Sequence, residues 1–142
     1  STSLESFNLL IDEIKKGADV AIGSRYLAKS KIKRSIKRYI LSKIYHIFLI
    51  NFFLKLPIKD VQCGFKAISN TAFKKLSTNI SDHVFFFEAE MLFLAHRLKM
   101  KIVEIPVDWI ECRASGVKLF KTSISFILNV FRLKLRNIFN KK

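Results

Sequence analysis

TSLESFNLLIDEIKKGADVAIG, residues 2 to 23, decides the fold class. Thr2 and Glu5 stand at capping-box spacing, and Leu4, Phe7, Leu10, Ile11 and Ile14 recur at helical intervals. Gly17 supplies a stop. Directly after it, ADVAIG at Ala18 to Gly23 is a short apolar run of the kind buried in a sheet. A helix that stops at a glycine and feeds directly into a buried strand is half of an α/β unit. The strand that should precede the helix is missing, so the expectation is a chain that begins in mid-domain.

Working outward, Lys33 to Leu54 carries a long helical pattern with Ile36, Ile40, Leu41, Ile44, Ile47 and Phe48 on one side, closed by Pro57. DVQCGFKAI, Asp60 to Ile68, reads as a strand, and Ser69 or Asn70 caps a short helix through Leu76. Phe85 to Phe87 is a strand or the start of a helix. Glu88 to Leu98 is helical with Met91, Leu92 and Ala95 inward. Lys101 to Ile105 and Val107 to Ile110 are extended around Pro106, and Leu119 to Phe139 forms a last amphipathic helix. Helices and strands alternate, which predicts a layered, mixed α/β architecture.

The chain has 142 residues, 50% hydrophobic, with 14 Phe, and 26 Lys+Arg against 11 Asp+Glu give a formal charge of +15. So apolar a chain is not disordered, and with 4 Gly and 2 Pro it is not collagen-like. Cys63 and Cys112 make no disulfide framework and lack zinc-ligand spacing, which fits a reducing compartment. The charge falls in blocks: no acid stands between Asp19 and Asp60 or after Glu111. Basic and apolar together suit an anionic membrane surface first and nucleic acid second. The longest uncharged stretches, Ile44 to Leu54 and Thr122 to Phe131, fall short of the ~20 apolar residues that a spanning helix needs. Flanked by Lys or Arg, they have the pattern of helices lying in the interface. His46, His83 and His96 have no partner at metal-ligand spacing and read as structural.

Four segments in order, GSRY at Gly23 to Tyr26, DVQCGFKAI at Asp60 to Ile68, FFFEAEMLFLA at Phe85 to Ala95 and EIPVDW at Glu104 to Trp109, resemble the C-terminal half of a family 2 glycosyltransferase. Dolichyl-phosphate glucose and mannose synthases are the nearest in pattern. The resemblance implies part of a GT-A fold (the three-layer fold of nucleotide-diphospho-sugar transferases) without its N-terminal nucleotide-binding half, with residues 1–118 in that domain and 119–142 a cationic amphipathic helix. It implies transfer of a hexose from UDP-glucose or GDP-mannose to a polyprenyl or dolichyl phosphate, on the cytoplasmic face of a membrane. It also implies a divalent metal, Mg or Mn, in the full enzyme. The D-x-D ligands of that metal belong before Ser1 in the family pattern, so the chain is expected to be a fragment or one part of a split gene, inactive without a separate N-terminal half. The rival readings are a basic nucleic-acid-binding module and a non-catalytic membrane-associated remnant. No RNA-binding signature organises the aromatic residues, so nucleic acid is not an expected partner.

Individual residues carry these expectations. Arg25 follows a strand end and is suited to gripping a phosphate bidentately. If Asp60 to Ile68 is a strand, then Asp60, Gln62, Gly64 and Lys66 share one face, and the resemblance turns Lys66 toward the acceptor phosphate. Glu88 and Glu90 stand near a helix N-terminus, where the dipole favours carboxylates. Glu90 matches the family's Glu of F-D-x-E and Glu88 stands where Asp is usual, so both are candidate catalytic acids. Arg38 shares a helix face with Arg34 and Ser42 and is a further candidate for phosphate. Ser115 and Lys118, in SGVK, stand where the family has S-K-V near the acceptor. Trp109 and Phe85 to Phe87 read as core or interface.

Overall fold

The computed structural model describes residues 4–33, 36, 39, 40, 43, 54–80, 86–110, 128–133 and 135. Helix α1 spans Leu4–Lys15 and is followed by strand β1, Val20–Ser24. Short strand β2 is Lys31–Lys33 and β3 is Lys66–Ile68. Helices α2, Asn70–Ser77, and α3, Phe87–Arg97, lead to β4, Ile102–Pro106, and β5, Asp108–Ile110. Residues 128–133 are again helical.

β1 is central in a three-stranded sheet of order β3-β1-β4, antiparallel to β3 and parallel to β4. All five of its residues are buried, as a strand covered on both faces must be. Val20 and Ile22 join the larger core with Leu54, Leu56, Ile58, Val61, α2, α3 and the helical residues Val130 and Leu133. Ala21 faces a smaller cluster with Leu10 and Ile105, packed by Ile14, Phe65 and Ala67. The sheet is thus layered between α1 and the other helices.

Beyond the three-stranded sheet, the β1/β4 pair bends and continues as the parallel pair β2/β5. Ser30 manages the bend: its hydroxyl donates to the Ser24 carbonyl at 2.6 Å and accepts from the Val107 amide at 3.2 Å. A Cβ on Gly23 would lie 2.6 Å from Val107 Cγ1. Only a residue without a side chain lets the two strands approach there.

Several expectations are corrected. Of the apolar stripe expected on α1, Leu10 is buried and Ile14 packs beside it, whereas Phe7 is exposed and the polar Ser6 is buried instead. Residues 60–65 are turn and loop rather than strand, so no period of two operates. Asp60 is buried, whereas Gln62 and Gly64 are exposed, and Asp60, Gln62, Gly64 and Lys66 do not share a face. Strand β2 is a further departure from the sequence pattern. Three residues, two of them lysines, are too few to show alternation. Most of the two long helical readings, 33–54 and 119–139, lies outside the described residues, while at three other points the reading and the structure agree. Gly17 ends α1 at φ +90, a conformation that glycine adopts without strain. Ser69 Oγ accepts from the Ala72 amide at 3.2 Å and caps α2. Met91, Leu92 and Ala95 of α3 face inward.

Candidate functional site

Three of the four motifs converge where β1 ends. Arg25 leaves β1 and meets Asp60 of the 60–65 loop in a bidentate pair, Nε to Oδ2 at 2.7 Å and Nη2 to Oδ1 at 2.9 Å. The Arg25 amide also donates to Oδ2, at 2.9 Å. Asp60 is fully buried and the Arg25 side chain is 15% exposed. Burial opposes the guanidinium's charge, but the hydrogen bonds and charge of Asp60 outweigh it and hold its pKa above the ordinary value. The guanidinium carbon lies 6.0 Å from the Tyr26 ring centre and 5.7 Å from that of Trp109, within cation–π range. Trp109 therefore has a place beside the site, which its sequence context did not reveal.

Arginine carries five N–H donors. Asp60 takes one from Nε and one from Nη2. Among the described residues nothing accepts from Nη1. Unused guanidinium N–H groups are of the type that pairs bidentately with an anion such as phosphate.

Lys66 is arranged differently. Its ammonium donates to the carbonyls of Val61, at 3.1 Å, and Cys63, and pairs with Glu88 Oε2 at 3.1 Å. Those three acceptors account for all three of its protons. Its side chain is 8% exposed and that of Glu88 33%. Burial lowers the Lys66 pKa, and the neighbouring Glu88 only partly restores it. Gly64 sits against this pair, since a Cβ there would lie 3.3 Å from Glu88 Oε1. The Cys63 thiol is buried and its pKa is pushed up, by burial first and by the Asp60 carboxylate second.

Glu90, on the same turn as Glu88, is 2% exposed and sits among the core residues of α3. Gln62 is exposed at the loop tip. Arg38, Ser115 and Lys118 lie outside the described residues, as do His46 and His83. The loop has one more support: the Glu104 carboxylate on β4 accepts from the amides of Lys59, at 3.0 and 3.1 Å, and Asp60, at 3.1 Å. Among the described residues no group of three or more His, Cys, Asp or Glu side chains comes together to hold a metal ion. No step is assigned to a divalent metal.

No family model matches the chain. Curated proteins do. It is 36% identical over 110 residues to glycosyltransferase AglD of Haloferax volcanii, covering 77% of this chain and 18% of that protein. It is 34% identical over 153 residues to the dolichyl-phosphate beta-glucosyltransferase ALG5D of Trichomonas vaginalis, covering 96% of this chain and 46% of that one. Its identity to the dolichyl-phosphate beta-glucosyltransferase of Dictyostelium discoideum is 32% over 143 residues, with 96% and 43% covered. The chain spans less than half the length of each of these relatives. Its order of motifs and these matches agree: the chain is a relative of the dolichyl-phosphate β-glucosyltransferases, matched over most of its own length.

Proposed function

We propose that the chain is the acceptor-side part of a glycosyltransferase that moves a hexose from UDP-glucose or GDP-mannose to a polyprenyl (dolichyl) phosphate, within a partial GT-A fold. A nucleotide-binding half outside these residues completes the donor site. Arg25 grips the lipid phosphate through the guanidinium edge that Asp60 leaves over. A phosphate oxygen attacks the anomeric carbon, the bond to the nucleoside diphosphate breaks, and the configuration inverts. The attacking oxygen is already ionised near neutral pH, so a strong general base is not required. Glu88, partly exposed beside Lys66, and the buried Glu90 shape the acceptor side without taking a proton. Lys66 frames the loop, its donors being engaged.

The membrane approach uses two apolar and basic surfaces. Ile36 and Ile40 are exposed near the exposed Lys43, and Leu128, Phe131 and Leu135 are exposed near Arg132. Among the described residues no helix is long and apolar enough to cross a membrane. Helices of this kind lie on an anionic leaflet, here the cytoplasmic one, at which lipid phosphates are presented.

What carries this reading is a guanidinium whose Nη1 donors no described residue takes, in a chain related to dolichyl-phosphate β-glucosyltransferases. The test supplies the nucleotide-binding half of such an enzyme on a separate chain, with radiolabelled UDP-glucose or GDP-mannose and polyprenyl phosphate. Label is expected in the lipid fraction only when both chains are present. Two folded chains and both donors without lipid label would contradict the proposal.

A further inference from the structure

The motifs at 23–26, 60–68 and 104–109 are far apart in the chain and meet at one guanidinium. Arg25 and Asp60 account for the first two. In the third, Glu104 stands on β4 directly opposite Ile22 of β1, and its carboxylate collects the two consecutive amides of Lys59 and Asp60. Successive amides pointing the same way form a concave seat for an anion. Here the chain fills that seat from within. The Asp60 backbone is thereby held to β4 while its carboxylate is held to Arg25, three residues beyond Ile22. Because β1 and β4 are hydrogen-bonded neighbours, these contacts close a ring: Glu104, Asp60, Arg25, β1 and back to β4. Trp109, on the continuation of β4, borders the same guanidinium.

We infer that Glu104 is a positioning residue. By fixing the Lys59 and Asp60 amides it sets the Asp60 carboxylate and, through it, the edge of Arg25 that meets a phosphate monoester. The inference rests on the proposed phosphate role of Arg25. Leu56, Ile58 and Val61 anchor the segment around this loop in the larger core, so the loss of Glu104 is expected to leave the fold intact. Groups that hold a ligand-binding side chain in its productive geometry act on affinity even when they touch no ligand.

The experiment titrates the full chain with farnesyl phosphate, using wild type, Glu104→Ala, Glu104→Gln, Arg25→Ala and the Arg25→Ala/Glu104→Ala double variant. Melting curves and the arginine Nε–H signals in a nitrogen-15 spectrum are recorded alongside. Arg25→Ala and Glu104→Ala are each expected to weaken binding about tenfold, and the double variant to bind no worse than Arg25→Ala within about twofold, because both act through one group. Glu104→Gln keeps one accepting oxygen, so it should fold and lose about threefold, and the Arg25 Nε–H signal should move in both Glu104 variants. Losses that add in the double variant would overturn the inference, as would Glu104 variants with unchanged affinity and an unmoved signal. If Arg25→Ala binds as well as wild type, the phosphate role falls and the inference with it. If Arg25→Ala is impaired and Glu104→Gln is not, only the inference falls.

Discussion

Two partly buried cations stand beside the same loop, and their surroundings give them opposite properties. Arg25 meets a fully buried carboxylate in two parallel bonds, lies within 6.0 Å of two aromatic ring centres and, among the described residues, keeps donors unused. Lys66 meets a carboxylate that is one-third exposed, and the rest of its protons go to backbone carbonyls. Net, the environment favours the charge of Arg25 and disfavours that of Lys66. Positive charge is thus no guide by itself. What decides is how many donors remain after the fold has used its share.

The contrast can be broken at each of its parts. The largest effect is expected for Asp60→Ala, which strands a buried guanidinium. Removing one partner of a buried pair typically costs about 3–5 kcal/mol, and urea unfolding should show a loss of that size. Gly23→Ala comes next. The new methyl meets Val107 Cγ1 where Arg25's strand leaves the sheet, and overpacking of this kind costs about 1–3 kcal/mol. The melting temperature should fall accordingly.

Lys66→Met is expected to cost less, about 1–2 kcal/mol, because it deletes a poorly compensated charge but leaves the Val61 and Cys63 carbonyls without their donor. Its pH dependence is more telling. The Lys66 pKa is lower in the folded chain than the ordinary 10.5. Between those two values the unfolded chain binds more protons, so stability rises with pH across that alkaline window. Lys66→Met should flatten that rise when unfolding is followed from neutral pH upward. Arg25, with a raised pKa, titrates at no accessible pH and so contributes nothing to that slope. Glu88→Gln should have the smallest effect, within about 1 kcal/mol, since its carboxylate is partly exposed and solvent screens the pair. A larger loss would mean that the Lys66 side resembles the Arg25 side after all.

The elements long enough to show a period were legible in the sequence. α1 and α3 announced themselves by apolar recurrence, α2 by Ser69, and the run from Lys101 to Ile110 by its break at Pro106. What failed was local and has a physical cause. DVQCGFK alternates like a strand, yet Asp60 and Lys66 turn inward to hold a loop. A buried ion pair and backbone carbonyls override alternation, and no residue between Asp60 and Phe65 signals that from its type. The candidate site was legible as a set of residues and not as a set of partners. Arg25 and Asp60 stand out separately in the sequence, without sign that they bind each other. Glu104 and Trp109 belong to a motif with no chemistry attached, because what matters about them is which backbone and which guanidinium they reach.

The central claim is that Arg25 is the phosphate-holding cation and Lys66 is not. The most direct measurement compares the affinity of farnesyl phosphate for wild type, Arg25→Lys and Lys66→Met, each checked for a cooperative melting transition well above the assay temperature. Arg25→Lys keeps the charge and loses the fork, so a loss of about tenfold is expected, against less than about threefold for Lys66→Met. A Lys66→Met loss as large as or larger than that of Arg25→Lys would contradict the account.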